Sequence, residues 1–215
     1  MTNPTAPTQS PLPLQAPPPV RMTPAGERLL AAASELFYAK GIHAVGVDTI
    51  AAAAGTTKKT LYDRFGSKDA LVALYLQHRV DRWQRYVQER LAQHPPVAAE
   101  MDVEAAVRRV LAIFDALEDW HGQYDRGCAF VNAYAEFANT GHPGLAVVRA
   151  EKEWIRAVYT QLAREGGFGG AAVEDLGAQL ALVHEGSLIV RSAAGGGDAF
   201  DQARAAARVL LLATL

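Results

Sequence analysis

The chain has almost no cysteine, no charge in its first twenty residues and no apolar run long enough to cross a bilayer. Cys128 is the only cysteine among 215 residues. No disulfide can form within the chain, and a reducing, cytoplasmic setting is expected. A spanning helix needs roughly 18 consecutive apolar residues, and no stretch approaches that. The amino terminus lacks the basic-then-apolar order of an export signal. Alternating β-branched runs are missing as well, which leaves no convincing strand. The six histidines are scattered without metal-ligand spacing, and there is no phosphate loop, nucleophile elbow or pair of catalytic carboxylates. Neither a metal, a cofactor nor an enzymatic activity is expected. An enzyme built on the carboxyl-terminal helices, using Cys128 or Glu136, would lack a supporting constellation.

What the chain does have is asymmetry. Its net charge of −2 divides unevenly. Between Arg21 and Lys68 lie seven Lys or Arg (Arg21, Arg28, Lys40, Lys58, Lys59, Arg64, Lys68) against Glu27, Glu35, Asp48 and Asp63, or +3. The remainder therefore carries −5, and a polyanionic partner is suggested for the basic part alone. Residues 1–22 are proline-rich and read as a disordered tail. From Pro24 onward the pattern is helical, with breaks at Gly41, Gly55, Gly66, "HPPV", "HGQYDRG", "TGHPG", "GGFGG" and "GGG". About nine helices are expected, the later ones near 102–119, 127–139, 144–165, 172–194 and 198–214. The fold class is all-α.

The stretch "IAAAAGTTKKTLYDRF", residues 50–65, reads as a helix-turn-helix. The alanines permit a close helix crossing, and Gly55 makes the turn without a Cβ clash. Thr57, a good N-cap, opens a helix that places Lys58, Lys59 and Thr60 where free backbone N–H groups already favour phosphate. The lysines can reach phosphates or guanine edges, and Thr60 a base or phosphate. Leu61 and Phe65 point into the core, while Tyr62 either packs or offers its hydroxyl to a phosphate. Ser67 and Lys68 open the next helix, a second phosphate-ready terminus.

With "ELFYAKG", "IAAAAG", "TLYDRF" and "SKDALV" in sequence, residues 26–76 resemble the DNA-binding domain of TetR (tetracycline-repressor-like) transcriptional regulators. The segment "RGCAFVNAYAEF" is similar to one branch of that family. The resemblance implies a homodimer that binds a palindromic double-stranded DNA operator and is released by a small-molecule effector, most simply a repressor. It divides the chain into a tail, a DNA-binding domain at 23–68 and a helical effector-binding and dimerisation domain at 69–215. By position Thr49, Thr57, Lys58, Lys59, Thr60 and Tyr62 match DNA-facing residues, and Arg64 and Lys68 match phosphate contacts. Two departures stand out. Gly46 replaces the hydroxyl residue that often opens the first helix of the pair. Asp63 brings a negative charge to the recognition helix; it faces away, pairs with Lys59 at i−4, or accepts from a cytosine, the pairing being favoured. A DNA-binding architectural protein without an effector is the alternative.

The last two helices, near 172–194 and 198–214, are apolar over more than one face. Such helices are buried on both sides, most economically against a second copy. Cys128, Asn132 and Glu136 fall at i, i+4 and i+8 on an apolar segment. With Phe114, Trp120, Trp154, Tyr159 and His184 they form the expected wall of a small-molecule pocket. Ordinary core packing is the competing reading for each of them. Cys128 is read as a small buried filler, with a redox-sensing thiol activated by Arg126 as its rival.

Overall fold

The computed structural model describes residues 22–96, 102–122 and 126–215. All of the proline-rich tail but Met22 lies outside these residues. The described residues form nine α-helices and one short 3-10 turn.

Helix α1 (Pro24–Lys40) starts where Thr23 Oγ1 accepts from the Gly26 N–H at 3.3 Å, with Pro24 in the first turn. It buries Leu29, Leu30, Ala33 and Phe37. Helix α2 (Val47–Ala53) has only seven residues and buries Ile50 and Ala51. It ends in a turn in which Gly55 takes φ +61, a conformation strained for any residue with a Cβ. Helix α3 (Lys58–Phe65) is capped by Thr57 and sinks only Leu61 completely. Burying one such side chain is worth about 1.5–3 kcal/mol. Arg28 Nε also bonds the Ala54 carbonyl at 3.3 Å, tying α1 to the end of α2.

Helix α4 (Lys68–Ala92) is capped by Ser67 and runs about 37 Å. Its first half packs on α1 through rings such as Tyr75 and Phe37, 5.6 Å apart. Its second half enters the larger bundle, where Trp83 meets Trp120 at 5.6 Å. That bundle comprises α5 (Val103–His121), α6 (Ala129–Phe137), α7 (Gly144–Glu165), α8 (Val173–Ala193) and α9 (Ala199–Leu212). Helix α8 packs between α7 and α9. Helix α6 is shorter than the sequence pattern predicts. Ala138 turns extended and Asn139 takes φ +64, which ends the helix two residues early. None of the described helices is long and apolar enough to cross a membrane.

Candidate functional site

The amino end of α3 projects an exposed, polar surface. Lys58, Lys59, Tyr62, Asp63 and Arg64 are exposed, Thr60 is partly so, and Thr49 is exposed on α2. Thr57 Oγ1 accepts from the Thr60 N–H at 3.1 Å and lies 2.9 Å from the Thr60 hydroxyl. The two threonines are thus spent first on capping the helix. Both lysines are ion-paired. Lys58 Nζ lies 3.1 Å from Asp48 Oδ2 and Lys59 Nζ 2.6 Å from Asp63 Oδ2. Asp63 accordingly takes the i−4 pairing. The partner of Lys58 comes from the first turn of α2, a contact the sequence pattern does not reveal. Exposed pairs of this kind contribute only a few tenths of a kcal/mol, so an incoming anion can displace them cheaply.

Lys68 is placed differently. Its ammonium donates to the Ile42 carbonyl at 2.7 Å and lies 5.9 Å over the Phe37 ring. It braces the corner between α1 and α2, and does not stand out from the end of α4 as an open cation.

Asn132 and Glu136 do not join the cavity beside Cys128; they line a second, smaller one with Phe37, Tyr38, Gly41 and Ile42. Glu136 accepts from the N–H of Ile42 at 2.9 Å and of His43 at 2.6 Å, and His43 Nδ1 lies 3.1 Å from its Oε2. Asn132 donates to the Arg126 carbonyl at 2.9 Å. Tyr38 completes the connection. Its hydroxyl donates to the Gly127 carbonyl and accepts from the Arg126 N–H, each at 3.1 Å. The polar stripe read as pocket wall is therefore largely a joint between α6 and the α1–α2 loop. The backbone N–H groups of that loop need acceptors, and the nearest carboxylate supplies them.

Cys128, Trp120 and His184 do converge. They line a cavity of about 20 Å³ together with Arg79, Trp83 and Lys152. Its volume admits a water molecule and little more until side chains move. Phe114 and Tyr159 lie behind it, fully buried, with rings 6.1 and 5.8 Å from His184. Trp154 is buried in α7 but is not part of this lining.

The electrostatics of the cavity are set by burial. Tyr159 Oη lies 3.0 Å from His184 Nδ1. Burial, then Lys152 and His121, hold His184 well below the ordinary histidine range, and burial, then Glu185, lifts the Tyr159 phenol. Both groups are therefore neutral. His121 falls to about 4 through burial and the charges of Arg79 and Lys152. Lys152 Nζ lies 2.8 Å from Glu185 and 2.9 Å from Glu151. Burial alone would lower its pKa, but Cys128, Glu151 and Glu185 outweigh that and raise it. The cation near Cys128 is Lys152, with Nζ 3.9 Å from Sγ, not Arg126. Burial dominates even so and raises the thiol, which argues for a packed filler and against an activated nucleophile. Sequence reasoning did not include Arg79, Glu151 or Lys152. The available signal was charge at buried helical positions, Arg79 between Leu76 and Val80 and Glu151 between Val148 and Trp154. Among the described residues no group of three His, Cys, Asp or Glu could hold a metal.

Comparison with known proteins agrees with this arrangement. Residues 29–75 match the family model for bacterial regulatory proteins of the TetR family. Over 54 residues the chain is 50% identical to the HTH-type transcriptional activator FasR of Mycolicibacterium smegmatis. That match covers 25% of this chain and spans only 25% of the relative's length. A TetR-family transcriptional regulator from Streptomyces coelicolor has a TM-score of 0.76 at 28% identity, covering 89% of this chain and 96% of that one. A TetR transcription regulator from Legionella pneumophila, at 16% identity, TM-score 0.71 and 89% and 100% coverage, shares the fold. A helix-turn-helix joined to a larger helical domain defines a DNA-binding regulatory protein. Residues 29–75 thus carry the amino-terminal domain of the TetR family of bacterial regulatory proteins, and the described chain shares the fold of a TetR-family transcriptional regulator along most of its length.

Proposed function

We propose that this chain is a ligand-responsive transcriptional regulator, most simply a repressor, which binds a palindromic operator as a homodimer and is released by a small molecule. The observation that carries DNA recognition is the exposed amino end of α3. There Lys58 and Lys59 are held only by weak surface pairs, beside Thr57, Thr60, Tyr62 and Arg64. In this reading residues 23–68 form the DNA-binding domain, 69–215 the effector and dimer domain, and Thr49 faces DNA from α2. Lys68 serves by bracing the α1–α2 corner, which supports α3 indirectly.

Dimerisation is supported by apolar side chains left on the outside of the last two helices. Leu182 is 72% exposed and Val209 67%, with Ile189, Val190, Leu212 and Leu215 also exposed. Such a surface is costly in a monomer and self-complementary across a two-fold axis. Leu182→Glu together with Val209→Glu should convert a dimer to a folded monomer by sedimentation velocity. Operator affinity should then fall by roughly two orders of magnitude or more, because two half-sites no longer bind as one. A double variant that remains dimeric and binds normally would sink this interface.

Release requires the effector to favour one arrangement of the recognition helices over another. The route supported best runs through α6, which has Cys128 at the cavity and Glu136 at the α1–α2 loop. Glu136→Ala leaves two loop N–H groups without their carboxylate. It should weaken operator binding about tenfold while leaving the dimer intact, a loss of ~1.4 kcal/mol. Fluorescence anisotropy with the selected operator measures it, and wild-type affinity would count against α6 as the route.

The FasR relative is an activator by name, which gives activation a specific claim as the second reading. Its match is confined to about 54 residues. It therefore speaks to DNA recognition and not to the sign of regulation. A reporter driven by the selected operator, with and without the protein, separates the two.

A further inference from the structure

A groove of about 320 Å³ lies between α1 and α4, outside the buried cavity. Glu35 and Tyr38 line it from α1, and Tyr75, His78, Arg79 and Arg82 from α4. Its size reaches the range of small-molecule sites, which the inner cavity does not. Arg79 lines both, so an occupant of the groove touches a side chain that also walls the cavity.

The chemistry of the lining is selective. Arg82 is exposed, lies 5.5 Å over the Trp120 ring, and among the described residues is matched to no carboxylate. The Arg79 guanidinium lies 4.8 Å over the Tyr38 ring and 5.8 Å over the Trp120 ring. Burial and the neighbouring Arg82 lower the pKa of His78, so it adds no full charge at neutral pH. An exposed, planar guanidinium such as that of Arg82 suits a carboxylate. The tyrosine rings supply flat apolar walls for the body of such an acid. Operator phosphate is a poor alternative, because His78 to Arg82 lie roughly 15–20 Å along α4 from its amino end beside the helix-turn-helix.

We propose that the α1–α4 groove binds a small aromatic carboxylic acid, its carboxylate on Arg82 and its ring against Tyr38 and Tyr75. This deepens the ligand-responsive reading by giving it an acid-selective site at the joint between the two helical groups. An acid bound there contacts α1 and α4 together and biases the angle between them.

The test is isothermal titration of the full chain, without DNA, against benzoate and phenylacetate, each compared with its neutral amide. The acids should bind and the amides should not. Arg82→Glu should weaken acid binding about tenfold or more, and Arg82→Lys should recover part of the loss. Circular dichroism checks that both variants keep the wild-type helix content, since Arg82 is exposed but also contacts the Trp120 ring. Wild-type protein that ignores the acids, binds the amides equally, or binds the acids as well after Arg82→Glu overturns the assignment. Since no operator is present, failure here counts against this site and leaves DNA recognition and release to be judged separately.

Discussion

Gly177→Ala should be among the most damaging single substitutions in the protein, although alanine is the better helix former. Gly177 sits inside α8 where it crosses α7. A Cβ at that position would lie 2.0 Å from Thr160 Oγ1 and 2.9 Å from both the Cβ and the Cα of Thr160. The hydroxyl could rotate away, but the Cα belongs to the α7 backbone, so the two helices must separate. Thr160 is itself buried, which leaves it no room to retreat. Overpacking of this sort costs about 3 kcal/mol or more, against less than about 1 kcal/mol gained in helix propensity. For a chain of this size the melting temperature should fall by roughly 6–12 °C. Gly186, on the same helix, is the control. Nothing in its own chain lies within 4 Å of a Cβ built there. Gly186→Ala should raise the melting point slightly when both glycine variants are compared in the monomeric Leu182→Glu, Val209→Glu background, where the proposed dimer face is free. Adding Thr160→Ala to Gly177→Ala should restore only part of the loss, because the clash with the α7 backbone persists. Equal melting points for the two single glycine variants would refute the close crossing.

The same crossing illustrates what sequence alone conveys here. Helix existence was legible over the described residues, because caps such as Thr57 and Ser67 and breakers such as Gly41 and Gly66 act locally. The helix-turn-helix was legible for a related reason: its core residues, turn glycine and caps fall within a short stretch of chain. Gly177 gave no such signal, since its reason is Thr160 on another helix. Glu136 shows a different limit. Its spacing from Cys128 and Asn132 placed the three on one stripe, and spacing cannot distinguish a stripe facing a cavity from one passing from cavity to neighbouring helix. Only the unsatisfied N–H groups of Ile42 and His43, some ninety residues away in sequence, decide where that carboxylate goes. Lys68 follows the same rule. The helix terminus that made it look like an anion-binding residue is real, but the Ile42 carbonyl lies within its reach and claims the ammonium first.

Replacing Lys58 and Lys59 together with alanine should all but abolish operator binding while leaving the fold and the dimer unchanged. The two side chains are exposed, and Leu61 alone anchors α3 completely, so neither change disturbs packing. The ion pairs make the expected loss larger than two missing contacts. With both lysines present, Lys58–Asp48 and Lys59–Asp63 are locally neutral. Removing the lysines leaves two carboxylates on the surface proposed to meet DNA, and their repulsion adds to the lost attraction. Affinity should fall by about two orders of magnitude or more at physiological salt. The dependence of log affinity on log salt should become shallower by roughly two contacts' worth of counterion release. Adding Asp48→Asn and Asp63→Asn should return part of the affinity without returning the salt slope. That split separates repulsion by the exposed carboxylates from loss of the lysine contacts. Anisotropy titrations over a salt series read both quantities. Unchanged affinity in the double alanine variant would remove α3 as the recognition helix.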